Sequence, residues 1–329
     1  MIISKTPYRI SFFGGGTDYP EWYLKNGGKV LSSTIDKYIY ISCRHLPPFF
    51  KHKYRIVWSK IESVKKINQI QHKVVKKMLN SSDIKEGLEI HYDGDLPARS
   101  GMGSSSVFVV GLMNTLINFK GKNIDKKKLA EKSIYFEQKT LSEVVGSQDQ
   151  IAAAYGGFNK IIFKQDGKFQ VNRLFVKKDT LEKLNKNLLL IYSGLSRTAH
   201  HIASGYVNKL QKSKRLNVLN ISDFVDEAEK SLKKGELNNF AKLLHESWLE
   251  KKKLSSSITN SKIDDIYEAA INKGALGGKL LGAGGGGFFL FYVPYQKQKK
   301  FINYFKKFTT VPFNFTKEGS KIIFKKFDN

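Results

Sequence analysis

Three glycine-rich segments of the chain have residue types suited to holding an anion: Gly14-Gly15-Gly16, residues 97–106 and residues 282–287. A phosphate is held by backbone N–H groups with no side chain in the way, so glycines placed just before a helix are the usual solution. The middle segment, P-A-R-S-G-M-G-S-S-S, has that setting. Leu88, Ile90 and Tyr92 alternate with Glu89, His91 and Asp93, which predicts a strand before it. Val107, Val110, Met113, Leu116 and Ile117 predict an apolar helical stripe after it. Ser100, Gly101, Met102, Gly103, Ser104, Ser105 and Ser106 would then offer amides and hydroxyls to phosphate oxygens, helped by the positive end of the helix. The same hydroxyls could cap the helix or ligate magnesium, and a plain serine-rich cap reads identically from these residues alone.

The third segment spells G-x-G-x-x-G at Gly282, Gly284 and Gly287, but it precedes an apolar strand. A dinucleotide fingerprint must instead follow a strand and open a helix, so the match is a false positive. No G-x-x-x-x-G-K-[ST] occurs, which excludes the common P-loop.

Around these segments the patterning predicts strands at residues 8–13, 29–33, 38–43 and 54–58, a helix at 61–79, and helices at 126–141 and 148–155. A hairpin is expected over 158–175, turned at Asp166-Gly167, and a buried strand at 188–192. From about residue 199 the pattern is helical (199–214, 221–234, 237–254 and 263–273); a strand at 288–293, a helix at 296–308 and a β-like end follow. The chain shows no internal repeat, and the composition shifts near residue 185. Two domains, 1–185 and 186–329, are the expectation for 329 residues.

Composition narrows the function classes. The single cysteine, Cys43, rules out an internal disulfide framework and suits a reducing cytoplasm. The N-terminal residues lack a signal-peptide pattern, and the longest apolar run is too short to cross a bilayer, so no membrane association is expected. Lys and Arg number 56 against 29 Asp and Glu, a net charge of +27. Such charge invites a nucleic-acid reading. The lysines are spread along most of the chain, however, on helix-like or terminal stretches including 251–253, where a solvated face accounts for them. No zinc-ligand spacing or aromatic RNA-recognition motif accompanies them, so no specific nucleic acid is expected.

The three segments together resemble the GHMP kinases, the family of galactokinase, homoserine kinase and mevalonate kinase. Residues 97–106 resemble that family's P-x-x-x-G-L-G-S-S loop. Residues 6–19, T-P-Y-R-I-S-F-F-G-G-G-T-D-Y, are similar to its first motif in the sugar kinases, and residues 280–288 to its third. The motifs stand in family order across almost the whole chain. The resemblance implies an α+β, two-domain fold: a ribosomal-protein-S5-like N-terminal domain and a ferredoxin-like C-terminal domain. It also implies ATP and Mg²⁺ as cofactors.

What the resemblance implies for single residues follows the motifs. V-G-S-Q-D-Q at 145–150 is similar to the galactokinase G-I-M-D-Q segment, making Asp149 the catalytic base; a helix cap is the competing role. Arg9 matches the first motif's arginine beside the base and the transferring phosphate. Glu137, twelve residues before Asp149, matches a magnesium ligand that would act with Ser104. Gly15, Gly16, Thr17, Asp18 and Tyr19 would face a sugar, with Gly284 and Gly285 closing the pocket. Glycines stand where galactokinases carry Glu-His, which disfavours galactose. The G-G-G-T-D and R-S-G-M-G-S-S-S versions look most like the heptose 7-phosphate kinases of surface-polysaccharide pathways, with fucokinases more distant. Such a substrate needs a second anion site, for which Arg197, beside His200 and His201, is the first candidate, with Lys37 and Arg44 as further ones. A nucleic-acid-binding protein on the same fold is the reading from another class. A homodimer is left open.

Overall fold

Two strands far longer than expected organise the first half of the computed structural model, which describes residues 1–84, 86–195, 203 and 205–326. Apolar and β-branched residues recur along both, and tertiary pairing carries the strands through the intervening polar and turn-like residues. In chain order this half comprises β1 (Ile2–Phe13), α1 (Pro20–Asn26), β2 (Gly28–His45), β3 (Tyr54–Val57), β4 (Ile61–Val64), α2 (Lys73–Ser82) and β5 (Leu88–Gly94). Then come α3 (Ser104–Phe119), α4 (Lys126–Tyr135), α5 (Gln148–Tyr155), β6 (Phe158–Phe163) and β7 (Phe169–Arg173). The second half holds α6 (Lys178–Asn187), β8 (Leu188–Tyr192), α7 (Arg215–Lys234), α8 (Leu237–Lys252) and α9 (Ser261–Asn272). It ends with β9 (Gly277–Leu280), β10 (Phe288–Tyr292), α10 (Tyr295–Tyr304), β11 (Thr309–Val311) and β12 (Lys321–Lys325).

The first sheet runs β12-β1-β2-β5-β3-β4, with β6 and β7 continuing from β2; the second, four-stranded, runs β11-β8-β10-β9. Because β2 is so long, one end pairs with β6 (Ser33↔Phe158) and the other with β5 (Ile39↔Gly94). The last strand returns to pair antiparallel with β1, Ile2↔Lys325. The C-terminal half therefore contributes an edge to the N-terminal sheet.

Three local expectations differ from the structure. The helix expected over 61–79 starts only at Lys73, because Ile61–Val64 pairs with β3 as a hairpin, Tyr54↔Val64. Trp58 Nε1 donates to the buried Glu62 carboxylate at 2.9 Å, which fixes that hairpin. Residues 199–202 and 204 lie outside the described residues; a single 3₁₀ turn follows at Val207–Lys209, and α7 begins at Arg215 rather than near 221. Third, α4 does not continue to 141: its last turn widens into a π-helical turn, Phe136–Thr140. Such turns recur at functional sites, and this one carries Glu137.

The two halves meet through aromatic packing. Phe12, itself stacked on Phe158 within the first half at 5.3 Å, and Phe13 both meet the edge of Phe240 from α8. Each such pair adds about 0.5–1.5 kcal/mol beyond burial. Lys160 bridges Asp226 and Glu229 of α7, and Lys29 joins the same aspartate. These partly exposed pairs orient α7 more than they stabilise it.

Candidate functional site

The register of β1 against β2 slips between Pro7 and Arg9: Pro7 faces Tyr38, while Arg9 faces Thr34. A bulge of this kind bends the strand and re-aims its side chains. Here it delivers Arg9, 3% exposed, into the interior. Arg9 Nε and Nη2 donate to Asp149 Oδ1 and Oδ2 at 2.7 and 2.6 Å, and Nη1 donates to the Gly101 carbonyl at 2.9 Å. One guanidinium thus ties the first strand to the glycine-serine loop and to the first turn of α5. The N-cap of α5 is Ser147, so the Asp149 carboxylate caps nothing and is committed to the bidentate pair.

The glycines of the second and third segments touch each other. A β-carbon on Gly282 would lie 2.6 Å from the Gly101 Cα, and both residues have positive φ (75° and 81°). Only glycine satisfies both demands. Gly103, also at positive φ, is the N-cap of α3 and makes no side-chain cap bond. The amides opening α3 therefore meet no capping side chain at the end of a helix whose dipole favours anions.

These elements wall a cleft of about 320 Å³ lined by Arg9, Gly15, Gly16, Asp18, Tyr19, Gly101, Gly103, Ser104, Ser105, Ser106, Asp149 and Gly284, all expected site residues. Asp18 is held by the Gly16 amide at 3.0 Å, and burial, reinforced by Asp149, pushes its pKa up. Gly146 makes this geometry accessible, since a β-carbon there would sit 1.9 Å from Asp18 Oδ2.

Other expected residues are placed elsewhere. Ser100 and Met102 are fully buried and do not line the cleft. Thr17 is also fully buried, its hydroxyl 2.8 Å from the Gly14 and Lys29 carbonyls, so it fastens the turn rather than facing the cleft. The Gly285 amide donates to the Ile258 carbonyl at 2.8 Å and is absent from the lining. Arg44 is paired with Glu89 and Lys37 with Asp36, so neither reaches the cleft. Arg197, His200 and His201 lie outside the described residues.

Glu137 is fully buried beside the loop, where Ser106 Oγ donates to Oε1 at 3.0 Å and the Gln150 amide donates to Oε2. Ser104, on the cleft wall, accepts the Arg99 amide at 3.1 Å. Burial pushes the Glu137 pKa up to about 8. A carboxyl neutral in the fold and ionised in the open chain leaves the unfolded state holding fewer protons. Stability of the metal-free protein is therefore expected to fall as pH rises from about 4.5 to about 8. Thermal melting across this range checks it, with Glu137→Gln flattening the Glu137 contribution.

Two lysines were not found from the sequence. Lys251, read there as part of a solvated run, is 7% exposed and lines the cleft, donating to the Gly282 carbonyl. Its position on α8 follows Leu244 and Trp248 at helical spacing, a signal the run of charges obscured. Lys279 of β9 is equally buried, also lines the cleft and donates to the Phe12 carbonyl at 2.6 Å. Burial, with Arg9 nearby, lowers the Lys251 pKa to about 8, and burial, with Lys251 and Arg9 nearby, lowers that of Lys279 as well. Desolvated cations gathered in one cleft favour a multiply charged anion there.

The family pattern described as GHMP kinases N terminal domain matches residues 68–157, and GHMP kinases C terminal matches 228–309. The D-glycero-alpha-D-manno-heptose 7-phosphate kinase of Campylobacter jejuni is 30% identical, covering 97% of this chain and 98% of that protein. The crystal structure of a D-glycero-D-manno-heptose 1-phosphate kinase from Bacteroides thetaiotaomicron superimposes with a TM-score of 0.81 over 100% of both chains at 24% identity, a likeness of fold. That of a sugar kinase described as putative from Campylobacter jejuni gives 0.71 at 25% identity, over 98% of this chain and 97% of that one. This chain belongs to the GHMP kinases and is an ATP-dependent phosphotransferase.

Proposed function

We propose that the protein transfers the terminal phosphoryl group of ATP to the anomeric C1 hydroxyl of D-glycero-D-manno-heptose 7-phosphate. The products are the 1,7-bisphosphate and ADP, and the role is supply of nucleotide-activated heptose for surface polysaccharide in the cytoplasm. The observation that carries the reading is the Arg9–Asp149 pair, set between the amides of the phosphate loop and the buried Asp18.

The loop amides of residues 101–106 hold the nucleotide's phosphates, and Lys251 and Lys279 offset their charge. Asp18 and Tyr19 orient the sugar. Asp149 accepts the proton of the C1 hydroxyl as its oxygen bonds to phosphorus, while Arg9 fixes the carboxylate and stabilises charge on the phosphoryl oxygens. The buried Glu137 fits a cation site: among the described residues it has hydroxyl and amide donors but no cationic partner, and burial without such a partner pushes its pKa up. Glu137 with Ser106, or Ser104 from the cleft wall, would hold Mg²⁺. The chemistry supplied at that site would be neutralisation of the nucleotide's phosphate charge. Among the described residues no cluster of three His, Cys, Asp or Glu side chains occurs, so such an ion would rely largely on the nucleotide for its remaining ligands.

The similarity to the Campylobacter jejuni heptose 7-phosphate kinase, spanning nearly both chains, supports the choice of acceptor. An ATP-consumption panel of heptose 7-phosphate, free heptose, fucose, galactose and mevalonate tests it, with ³¹P NMR of the product locating the new phosphate. Turnover is expected to favour the heptose phosphate by about a hundredfold or more in kcat/KM, since groups that pair with the 7-phosphate would be left unpaired by analogues lacking it. Preference for a non-sugar alcohol, or a phosphate at another carbon, overturns the assignment.

A further inference from the structure

One corner of the cleft carries polar atoms that the chemistry above leaves unused. Ser11 follows Arg9 by two residues on β1 and so shares its face. Gln148 opens α5 next to Asp149, and its side-chain amide stabilises the Asp18 carboxylate. Both residues line the cleft, at 5% and 9% exposure. Ser11 Oγ and Gln148 Oε1 are nevertheless buried without a hydrogen-bond partner among the described residues. Buried polar atoms are nearly always bonded, so two unsatisfied ones in one corner mark a place where a ligand completes the bonds.

Gly15 lies between them. A β-carbon there would sit 3.7 Å from Gln148 Nε2 and 3.8 Å from Ser11 Oγ, ordinary contact distances, and the residue has no positive φ. The glycines on either side differ. Gly14 would drive a β-carbon to 2.0 Å from the Lys29 carbonyl, and Gly16 has φ 116°. Neither backbone nor neighbours require glycine at 15, so its missing side chain keeps the cleft wall recessed between a hydroxyl and an amide.

We propose that Ser11 and Gln148 are specificity-determining residues that hydrogen-bond ring hydroxyls of the acceptor, which occupies the space left above Gly15. Gln148 Oε1 can only accept, so the acceptor must present a hydroxyl donor to it, whereas Ser11 Oγ serves as donor or acceptor. The assignment rests on the sugar acceptor proposed above and names the groups that read it.

Ser11→Ala, Gln148→Met and Gly15→Ala are assayed with heptose 7-phosphate and with analogues of it lacking one ring hydroxyl. Ser11→Ala removes an unsatisfied hydroxyl, so its melting temperature is expected to stay the same or rise, while kcat/KM for the sugar falls about ten- to hundredfold and KM for ATP stays within twofold. Gly15→Ala is expected to fold normally and raise the sugar KM by filling the space. On one of the deoxy analogues, Ser11→Ala is expected to lose nothing further, because the shared contact is already gone. Losses that multiply on every analogue, or sugar kinetics within twofold of wild type in both Ser11→Ala and Gly15→Ala, overturn the proposal. If the wild-type enzyme uses another sugar of the panel, the heptose assignment falls and the same variants are read on that sugar. Indifference there overturns the role of this corner independently.

Discussion

Asp149→Asn is expected to lower kcat by about a thousandfold, within the range for loss of a positioned general base, with KM for ATP changed only a few-fold. The geometry gives two reasons. Asparagine takes up no proton from the attacking hydroxyl. It also presents an NH₂ group where Arg9 donates to both carboxylate oxygens at 2.7 and 2.6 Å, so one of the two parallel bonds becomes a donor–donor conflict. Because Asp149 carries little of the nucleotide's binding, steady-state kinetics with ATP varied separates a chemical defect from a binding one. A kcat within tenfold of wild type would remove Asp149 as the base and return it to a structural role beside Arg9. The melting temperature of the variant is measured alongside, since Arg9 would keep its buried charge with a poorer partner.

The second large effect is expected at Arg9. Arg9→Met removes three donations at once, two to Asp149 and one to the Gly101 carbonyl. Loss of one preorganised transition-state donor costs about 10²–10³ in rate, and loss of a fixed cation at this junction is expected to reach the upper end in kcat/KM. Stability should also fall, by less than the ~3–5 kcal/mol typical of a fully buried broken pair, because Asp149 is partly exposed and water screens it. Arg9→Lys should rescue little, as a point charge cannot satisfy two carboxylate oxygens and a carbonyl in one plane. Since the pair acts as a unit, the double variant Arg9→Met with Asp149→Asn should be scarcely worse than either single one. Multiplicative losses would mean that the two side chains act independently. Single-turnover kinetics of the three variants decides between these outcomes.

Much of this site is legible along the chain because its backbone chemistry is local. The strand before residues 97–106 and the helix after them follow from periodicities of 2 and 3.6, and the glycines mark where positive φ is needed. Gly101 and Gly103 both adopt it. Asp18 and Asp149 each belong to a short motif whose neighbours fix its setting. Residue spacing misled where long-range pairing overrode it. Ile61–Val64 joined a hairpin rather than a helix. Lys251 hid in a run of charges whose other members pair with Asp264 and Glu250 nearer the surface.

By itself, the sequence determined the order of elements around an anion-holding loop, the family they resemble and the identity of its acidic and basic groups. These depend on residues within a few positions of one another. The tertiary structure alone decided which groups meet: Arg9 with Asp149 through a slipped strand register, Gly101 against Gly282 across the two halves, Lys251 and Lys279 turned inward, and Ser11 beside Gln148 with no partner. Those meetings join positions up to hundreds of residues apart. They are set by sheet register and by the packing of one half on the other, which local sequence does not encode.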